Sequence, residues 1–330
     1  MNPQKRSIRL GKTGPIVFPV ALGCMGMSGS YGATDEGESI ATIRHAIERG
    51  ITLLDTGDFY GMGHNEMLIR RAIEGVRDRV QLSVKFGALR GPDGRWFGID
   101  TRPSAVKTFA AYSLKRLGVD VIDVYRPARL DPAVPIEDTV GAVAELVKAG
   151  YVRHIGLSEV GAETIRRAAS VHPVVDLQIE YSIATRGPEG RIFPALAEVG
   201  ASATLYGVFS RGLLTGSKVG GPGDSRGFFP RFHEDNRAQN EVATVRVRRL
   251  ATEGGRTPAQ LLLGWVLAKQ PALVPVIGAR TRSQVDDALG AIEHPLSPGE
   301  VAALEALVPD DAIAGSRYAA EQMKHLDSER

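Results

Sequence analysis

The chain has 330 residues, 43% of them hydrophobic and 24% charged, with a formal net charge of +2. Such a composition can bury a large core, and a charge so near zero speaks against nucleic acid or an anionic membrane surface as partner. The single cysteine, Cys24, excludes an intramolecular disulfide, and no metal cluster is expected.

The length suits either two domains or one large barrel. Residues 1–6 lead into no apolar h-region, so no signal peptide is expected. No apolar run is long enough to span a bilayer, and a cytoplasmic protein is the expectation.

Taken in chain order, Ser7–Val17, with Gly11 and Gly14, reads as a hairpin closing the bottom of a barrel. Short apolar runs then predict strands at Pro19–Leu22, Thr52–Leu54, Val80–Lys85, Val121–Tyr125, Val152–Leu157, Val175–Ile179, Ala201–Leu205 and Leu273–Val276. Helix-period segments fall between them at Glu36–Arg49, Asn65–Glu74, Arg102–Leu117, Ile136–Lys148 and Ala162–Val171. Further helices are expected at Arg191–Val199, Pro258–Lys269 and Ser283–Ile292, with an extra one at Leu296–Leu307 before a polar tail. Gly50, Gly118, Gly150 and Gly200 each stand where a helix hands over to the next strand.

Eight strand–helix units predict an α/β fold of the (β/α)8 TIM-barrel type, one domain over residues 1–330. A doubly wound open sheet shows the same alternation. For a dinucleotide it would carry G-x-G-x-x-G after an early strand, and Gly23–Gly29 lacks that spacing. Two long βα loops, Ala88–Thr101 with Trp96 and Phe97, and Gly207–Asn236 with Phe228 and Phe229, belong at the C-terminal face, where barrel sites are built.

At that face the second strand runs into Asp55, with Tyr60 on the loop beyond, and the third ends at Lys85. A lysine in apolar company needs a carboxylate partner, and Asp55 can supply it. A cation beside a phenol lowers the tyrosine pKa from its usual ~10, which makes Tyr60 a general acid. On these residues alone, a barrel-rim ion pair with a tyrosine nearby explains the pattern equally well.

Three stretches resemble signatures of the aldo-keto reductase superfamily. They are Leu54-Asp55-Thr56-Gly57-Asp58-Phe59-Tyr60-Gly61 continuing through Gly63-His64-Asn65-Glu66, then Leu114–Asp120, then Val276-Ile277-Gly278-Ala279-Arg280. The similarity extends over residues 8–310. It implies a TIM barrel binding NADPH/NADP+ across its C-terminal rim and interconverting aldehydes or ketones with alcohols. By the resemblance Tyr60 is the proton donor, tuned by Asp55 and Lys85.

The resemblance further implies cofactor contacts from Gly26, Met27, Asp55, Ser158, Gln178, Tyr206, Gly207, Ser210, Arg211, Leu213 and Gly216. Ile277, Gly278, Ala279, Arg280, Gln284 and Asp287 complete that set. Ser158 and Gln178 suit a carboxamide, and Arg280 with Gln284, at a helix N-terminus, suits a 2′-phosphate. Where the family usually has asparagine at an adenine contact, Ala288 stands.

The family's catalytic histidine ends the fourth strand, and the matching position here is Ala128. A methyl group neither donates a hydrogen bond nor moves a proton. Three readings are open: water fills the space, or His64, Trp96, Arg126 or Arg129 reaches into it, or the barrel binds cofactor as a sensor or partner protein with vestigial catalysis. Tyr31, Phe59, Trp96, Tyr125, Ala128 and Phe229 are expected to wall a pocket for a hydrophobic small-molecule carbonyl or alcohol. Arg126 or Arg231 would admit an acidic group, although rim arginines are usually solvated. A third function is a barrel lyase or isomerase with Lys85 forming a Schiff base, and the oligomeric state is not legible.

Overall fold

The chain closes eight parallel strands into a barrel, each followed by helical cover, in the computed structural model, which describes residues 7–221 and 223–330. Residues 1–6, on which the expectation about a signal peptide rests, lie outside the described residues. A hairpin of β1 (Ile8–Arg9) and β2 (Ile16–Val17) precedes the barrel. Then come β3 (Ala21–Gly23), α1 (Glu36–Glu48), β4 (Leu53–Gly57), α2 (His64–Ala72) and β5 (Gln81–Phe86). A second hairpin, β6 (Ala88–Arg90) and β7 (Trp96–Ile99), is inserted before α3 (Pro103–Leu117), β8 (Ile122–Pro127) and α4 (Ile136–Lys148).

The second half runs β9 (Val152–Ser158), α5 (Ala162–Val171), β10 (Val174–Glu180), α6 (Pro188–Val199) and β11 (Ser202–Tyr206). It ends with α7 (Glu234–Glu253), α8 (Pro258–Lys269), β12 (Val274–Gly278), α9 (Arg282–Glu293), α10 (Pro298–Leu307) and the short α11 (Ala320–Met323). The barrel order is β3-β4-β5-β8-β9-β10-β11-β12, closing back on β3. No helix among the described residues is long and apolar enough to cross a membrane.

All eight predicted barrel strands continue one to three residues past their expected ends. Asp55, Lys85, Ser158, Gln178 and Tyr206 all lie on barrel strands, Asp55 and Lys85 each with its strand continuing beyond it. Gly118 ends α3 at φ +66°, a left-handed conformation, and a Cβ there would meet the Arg70 side chain at 2.6 Å. The bottom of the barrel is plugged by Leu10 and Val17 of the first hairpin against Ala21, Leu53, Val124, Val175, Val274 and Val276. Helix α7 was not expected from the pattern, because its buried residues, among them Asn240, Ala243 and Thr244, are small or polar. Capping boxes at Thr257–Gln260 and Ser297–Glu300 start α8 and α10.

Above the apolar plug the barrel interior is polar. Arg126, wholly buried, donates to Asp176 Oδ2 at 3.0 Å, to Thr204 Oγ1 at 3.2 Å and to Ser83 Oγ at 2.9 Å. Ser83 Oγ donates onward to Asp55 Oδ1 at 3.0 Å. This layer joins the barrel floor to its mouth.

Candidate active site

Asp55 on β4 sits in register with Gly23 of β3 and Ser83 of β5, which fixes its carboxylate inside the barrel mouth. Lys85 Nζ donates to Asp55 Oδ2 at 2.6 Å, and Gln178 Nε2 donates to Oδ1 at 2.8 Å. Lys85 and Asp55 are each 4% exposed, so the pair is dehydrated and each charge depends on the other. Burial pushes the Lys85 ammonium down from its ordinary pKa, and Asp55 opposes that shift.

Lys85 Nζ lies 5.1 Å from the centroid of the Tyr60 ring, whose edge meets Phe59 at 4.8 Å between centroids. The expected lowering of the Tyr60 pKa is not what this geometry gives. Burial first and the Asp55 charge second push the phenol well above its usual value, while Arg129 opposes them. The lysine faces the ring, and its charge is neutralised by Asp55.

A cavity of about 670 Å³ opens at the C-terminal mouth of the barrel. At one end it is lined by Asp55, Tyr60 and Lys85, with Ser158, Gln178, Tyr206, Tyr31 and Phe59 around them. Gly26, Gly207, Arg211, Gly278 and Ala279 continue the wall toward Arg280, Gln284 and Asp287 at the start of α9. Arg280 Nη1 donates to the Tyr31 carbonyl at 3.0 Å, and the Gln284 side chain accepts the Arg280 backbone N–H at 2.8 Å. Tyr206 Oη donates to Glu159 at 2.7 Å, which fixes the tilt of its ring.

The roof over this cavity is held from two loops. Ser225 donates to the Ser30 carbonyl from its backbone N–H at 3.1 Å and from Oγ at 2.7 Å. Arg226 pairs with Asp224 at 2.8 Å and lies over the Tyr31 ring, and Arg226 together with Lys218 lines the cavity.

Other expected site residues lie elsewhere. Tyr125 is wholly buried, stacked on Phe86 at 4.3 Å between centroids, and faces the helix layer. Trp96 is on the second hairpin against His325, and Phe229 lies one layer behind the wall, against Tyr318 and the Arg211 guanidinium. Met27, Ser210, Leu213, Gly216, Ile277 and Ala128 do not line the cavity. His64 bonds Ser28 and Glu36 with its two ring nitrogens. Arg126 is locked inside the barrel, and Arg231 bonds Thr185 and the Ala184 carbonyl.

Tyr318, in the segment read as a polar tail, enters the cavity unforeseen. Its hydroxyl is 2.9 Å from Tyr206 Oη and accepts from Arg129 at 3.2 Å. The Arg211 guanidinium lies 4.7 Å from its ring centroid. Burial raises the Tyr318 pKa, but Arg211 and Arg129 outweigh it, so the phenol lies below its ordinary value. The tail is tied down by Arg317, which pairs with Glu159 at 2.5 Å and Glu329 at 2.7 Å.

Asp58, beside the Tyr60 loop, was assigned no role. Burial and then Glu66 raise its carboxyl pKa to about 7. An acid whose folded pKa exceeds its unfolded value of 3.8 holds its proton longer in the fold, so stability falls as pH rises from about 4 to 7. The Asp58→Asn variant is therefore expected to gain on the parent across that interval, by at most about 1.4 kcal/mol per pH unit, and to gain no further above it. Urea midpoints measured at several pH values give the slope directly.

A closed barrel with a buried lysine–carboxylate pair and a tyrosine at the C-terminal mouth of an elongated cavity defines a class of barrel enzyme. The Aldo/keto reductase family model matches residues 19–309, and the chain belongs to that family of oxidoreductases. It is 38% identical over 322 residues to "Probable aldo-keto reductase 1" of Glycine max, covering 96% of this chain and 92% of that one. The glycerol dehydrogenase AKR11B4 from Gluconobacter oxydans superimposes with a TM-score of 0.83 at 26% identity, over 97% of this chain and 100% of its own. An aldo/keto reductase from Klebsiella pneumoniae, solved with NADP and acetate, gives 0.72 at 26% identity, over 95% and 99%.

Proposed function

We propose that the chain is an NADPH-dependent carbonyl reductase in which Tyr60 gives the proton. The observation that carries this reading is one continuous cavity with Tyr60, Lys85 and Asp55 at one end and Arg280 at a helix N-terminus at the other. The donor set fits the cofactor: Ser158 and Gln178 suit a carboxamide, the Tyr206 ring a flat heterocycle, and Arg280 with the N–H groups of α9 a phosphate. The relatives support it, since the Klebsiella pneumoniae enzyme was crystallised with NADP and the Gluconobacter oxydans protein is a glycerol dehydrogenase.

Bound NADPH supplies the hydride. The chain's own residues exclude water, orient the carbonyl and move one proton. The Tyr60 hydroxyl stays protonated at neutral pH, because burial and Asp55 hold its pKa high, so it is ready to protonate an oxygen on which negative charge develops. Lys85, held by Asp55, keeps a positive charge next to that ring.

The test is a fluorescence titration with NADPH followed by cofactor consumption over a panel of aldehydes. Micromolar binding with turnover is expected. Tight binding without turnover on any aldehyde sinks the reductase reading and favours the cofactor-sensing barrel that Ala128 suggests. Replacing Arg280 by alanine is expected to raise the NADPH Kd roughly tenfold or more through loss of a charge-assisted phosphate contact, and to change the NADH Kd about twofold or less. Equal losses for both cofactors would remove Arg280 from phosphate recognition.

A further inference from the structure

Around Tyr318 the fold gathers the guanidinium groups of Arg129, Arg211, Arg231 and Arg317 and three carboxylates, Glu159, Glu180 and Glu329, the last paired with Arg317. Glu159 is satisfied by Arg317, with hydrogen bonds from Tyr206 and Ser328. Glu180 is satisfied by Arg211 at 2.9 Å and Arg231 at 3.4 Å. That leaves Arg129. Its Nη1 donates to the Ala128 carbonyl at 2.7 Å and its Nη2 to the Tyr318 hydroxyl at 3.2 Å, and no carboxylate among the described residues is within salt-bridge distance.

Arg129 is half-buried, lines the cavity, and belongs to its Tyr60 end. The neighbouring Ala128 N–H donates to the Phe86 carbonyl at 2.8 Å, one residue beyond Lys85, and the Arg129 charge acts on Tyr60. Of the other cations on the wall, Arg280, at the start of α9, is the one matched to phosphate. A guanidinium stays charged at any working pH, and desolvating it without a counter-ion is costly. The anion it lacks must therefore come with the molecule that fills this end of the cavity.

We propose that Arg129 is a specificity-determining residue that binds a carboxylate on the substrate, so that the preferred substrates are oxo acids: aldehydes or ketones bearing an acidic group. This rests on the reductase reading and names its substrate class. The Tyr318 hydroxyl, already 3.2 Å from Arg129, holds the guanidinium fork in place and closes the far side of the anion site. Arg129 acts on the remote carboxylate, and the reacting oxygen is left to Tyr60. A fork-to-carboxylate contact with two parallel hydrogen bonds is the strong form of this interaction.

The experiment compares each acid with its uncharged amide. Para- and meta-carboxybenzaldehyde are assayed against the matching carboxamides, and a short aliphatic oxo acid against its amide. In parallel, calorimetry on the NADP+-loaded protein measures binding of benzoate and benzamide. The expected result is a preference of about tenfold or more in kcat/KM for at least one acid, carried by KM, and tighter binding of benzoate. In Arg129→Gln both preferences collapse toward unity, whatever that variant does to turnover of the amides, and Arg129→Lys keeps part of them.

Equal kcat/KM for every acid and its amide in the parent protein overturns the proposal, and means that the Tyr318 phenol already balances Arg129. A preference that persists in Arg129→Gln overturns it as well, by placing the anion site elsewhere. Turnover of neither acids nor amides overturns the reductase reading itself, which the amide assays reveal separately. The parent comparison needs no variant to fold.

Discussion

Replacing Tyr60 by phenylalanine is expected to lower kcat by a factor of about 10²–10⁴, the usual contribution of one positioned proton donor, and to change the NADPH Kd about twofold or less. The ring itself is retained, with its edge contact to Phe59 and its face toward Lys85, so the substitution removes one hydroxyl and nothing of the packing. The pH profile makes the same point without a variant. With the phenol well above its ordinary pKa, carbonyl reduction requires the protonated form and is expected to stay flat from neutrality to beyond pH ~10. Alcohol oxidation requires the ionised form and is expected to climb with pH over that range. A reduction profile that falls between pH 7 and 9 would place the proton on another group, and Lys85, lowered by burial, is the group it would indicate.

The barrel was legible because each strand carries a short apolar run between helix-period segments, and glycines such as Gly118 and Gly200 mark where those segments stop. What was not legible is how far the strands run. Asp55, Ser158 and Tyr206 are polar and lie just past the predicted ends, and only the interior network of the closed barrel makes them strand residues. The Asp55–Lys85 pairing could be read from the sequence, since a lysine in apolar company demands a carboxylate. The direction of the Tyr60 shift could not, because it depends on how completely the fold buries the phenol and how near it brings the Asp55 charge.

Tyr125 shows a register error. Along β8, Val124 and Arg126 point into the barrel, toward the apolar plug and Asp176, so Tyr125 between them must face the helices. A shift of one residue changes the face of every side chain on a strand. Tyr318 was missed for another reason. It lies beyond the last apolar helix in a stretch without periodicity, and its partners, Arg129 and Tyr206, are over a hundred residues away in sequence. Only an aromatic residue beside Arg317 in an otherwise polar tail hinted at it.

The buried Arg126–Asp176 pair beneath the site should control stability more than any other polar contact. Both side chains are wholly inaccessible, and Asp176 Oδ2 also accepts from Thr204 at 2.7 Å. Asp176→Ala strands the guanidinium inside the barrel, and the expected loss is about 3–5 kcal/mol in unfolding free energy, against a total that is typically 5–15 kcal/mol. Arg126 also holds Ser83, and Ser83 holds Asp55, so the same variant is expected to lower kcat by loosening the carboxylate that anchors Lys85. Replacing both partners with apolar side chains, Arg126→Met with Asp176→Leu, removes both charges together and is expected to recover most of the lost stability. The two effects then separate. If the double variant regains stability but not kcat, the pair serves to position Asp55. If it regains neither, the layer is needed for packing, and the network is not the route by which the barrel interior acts on the site.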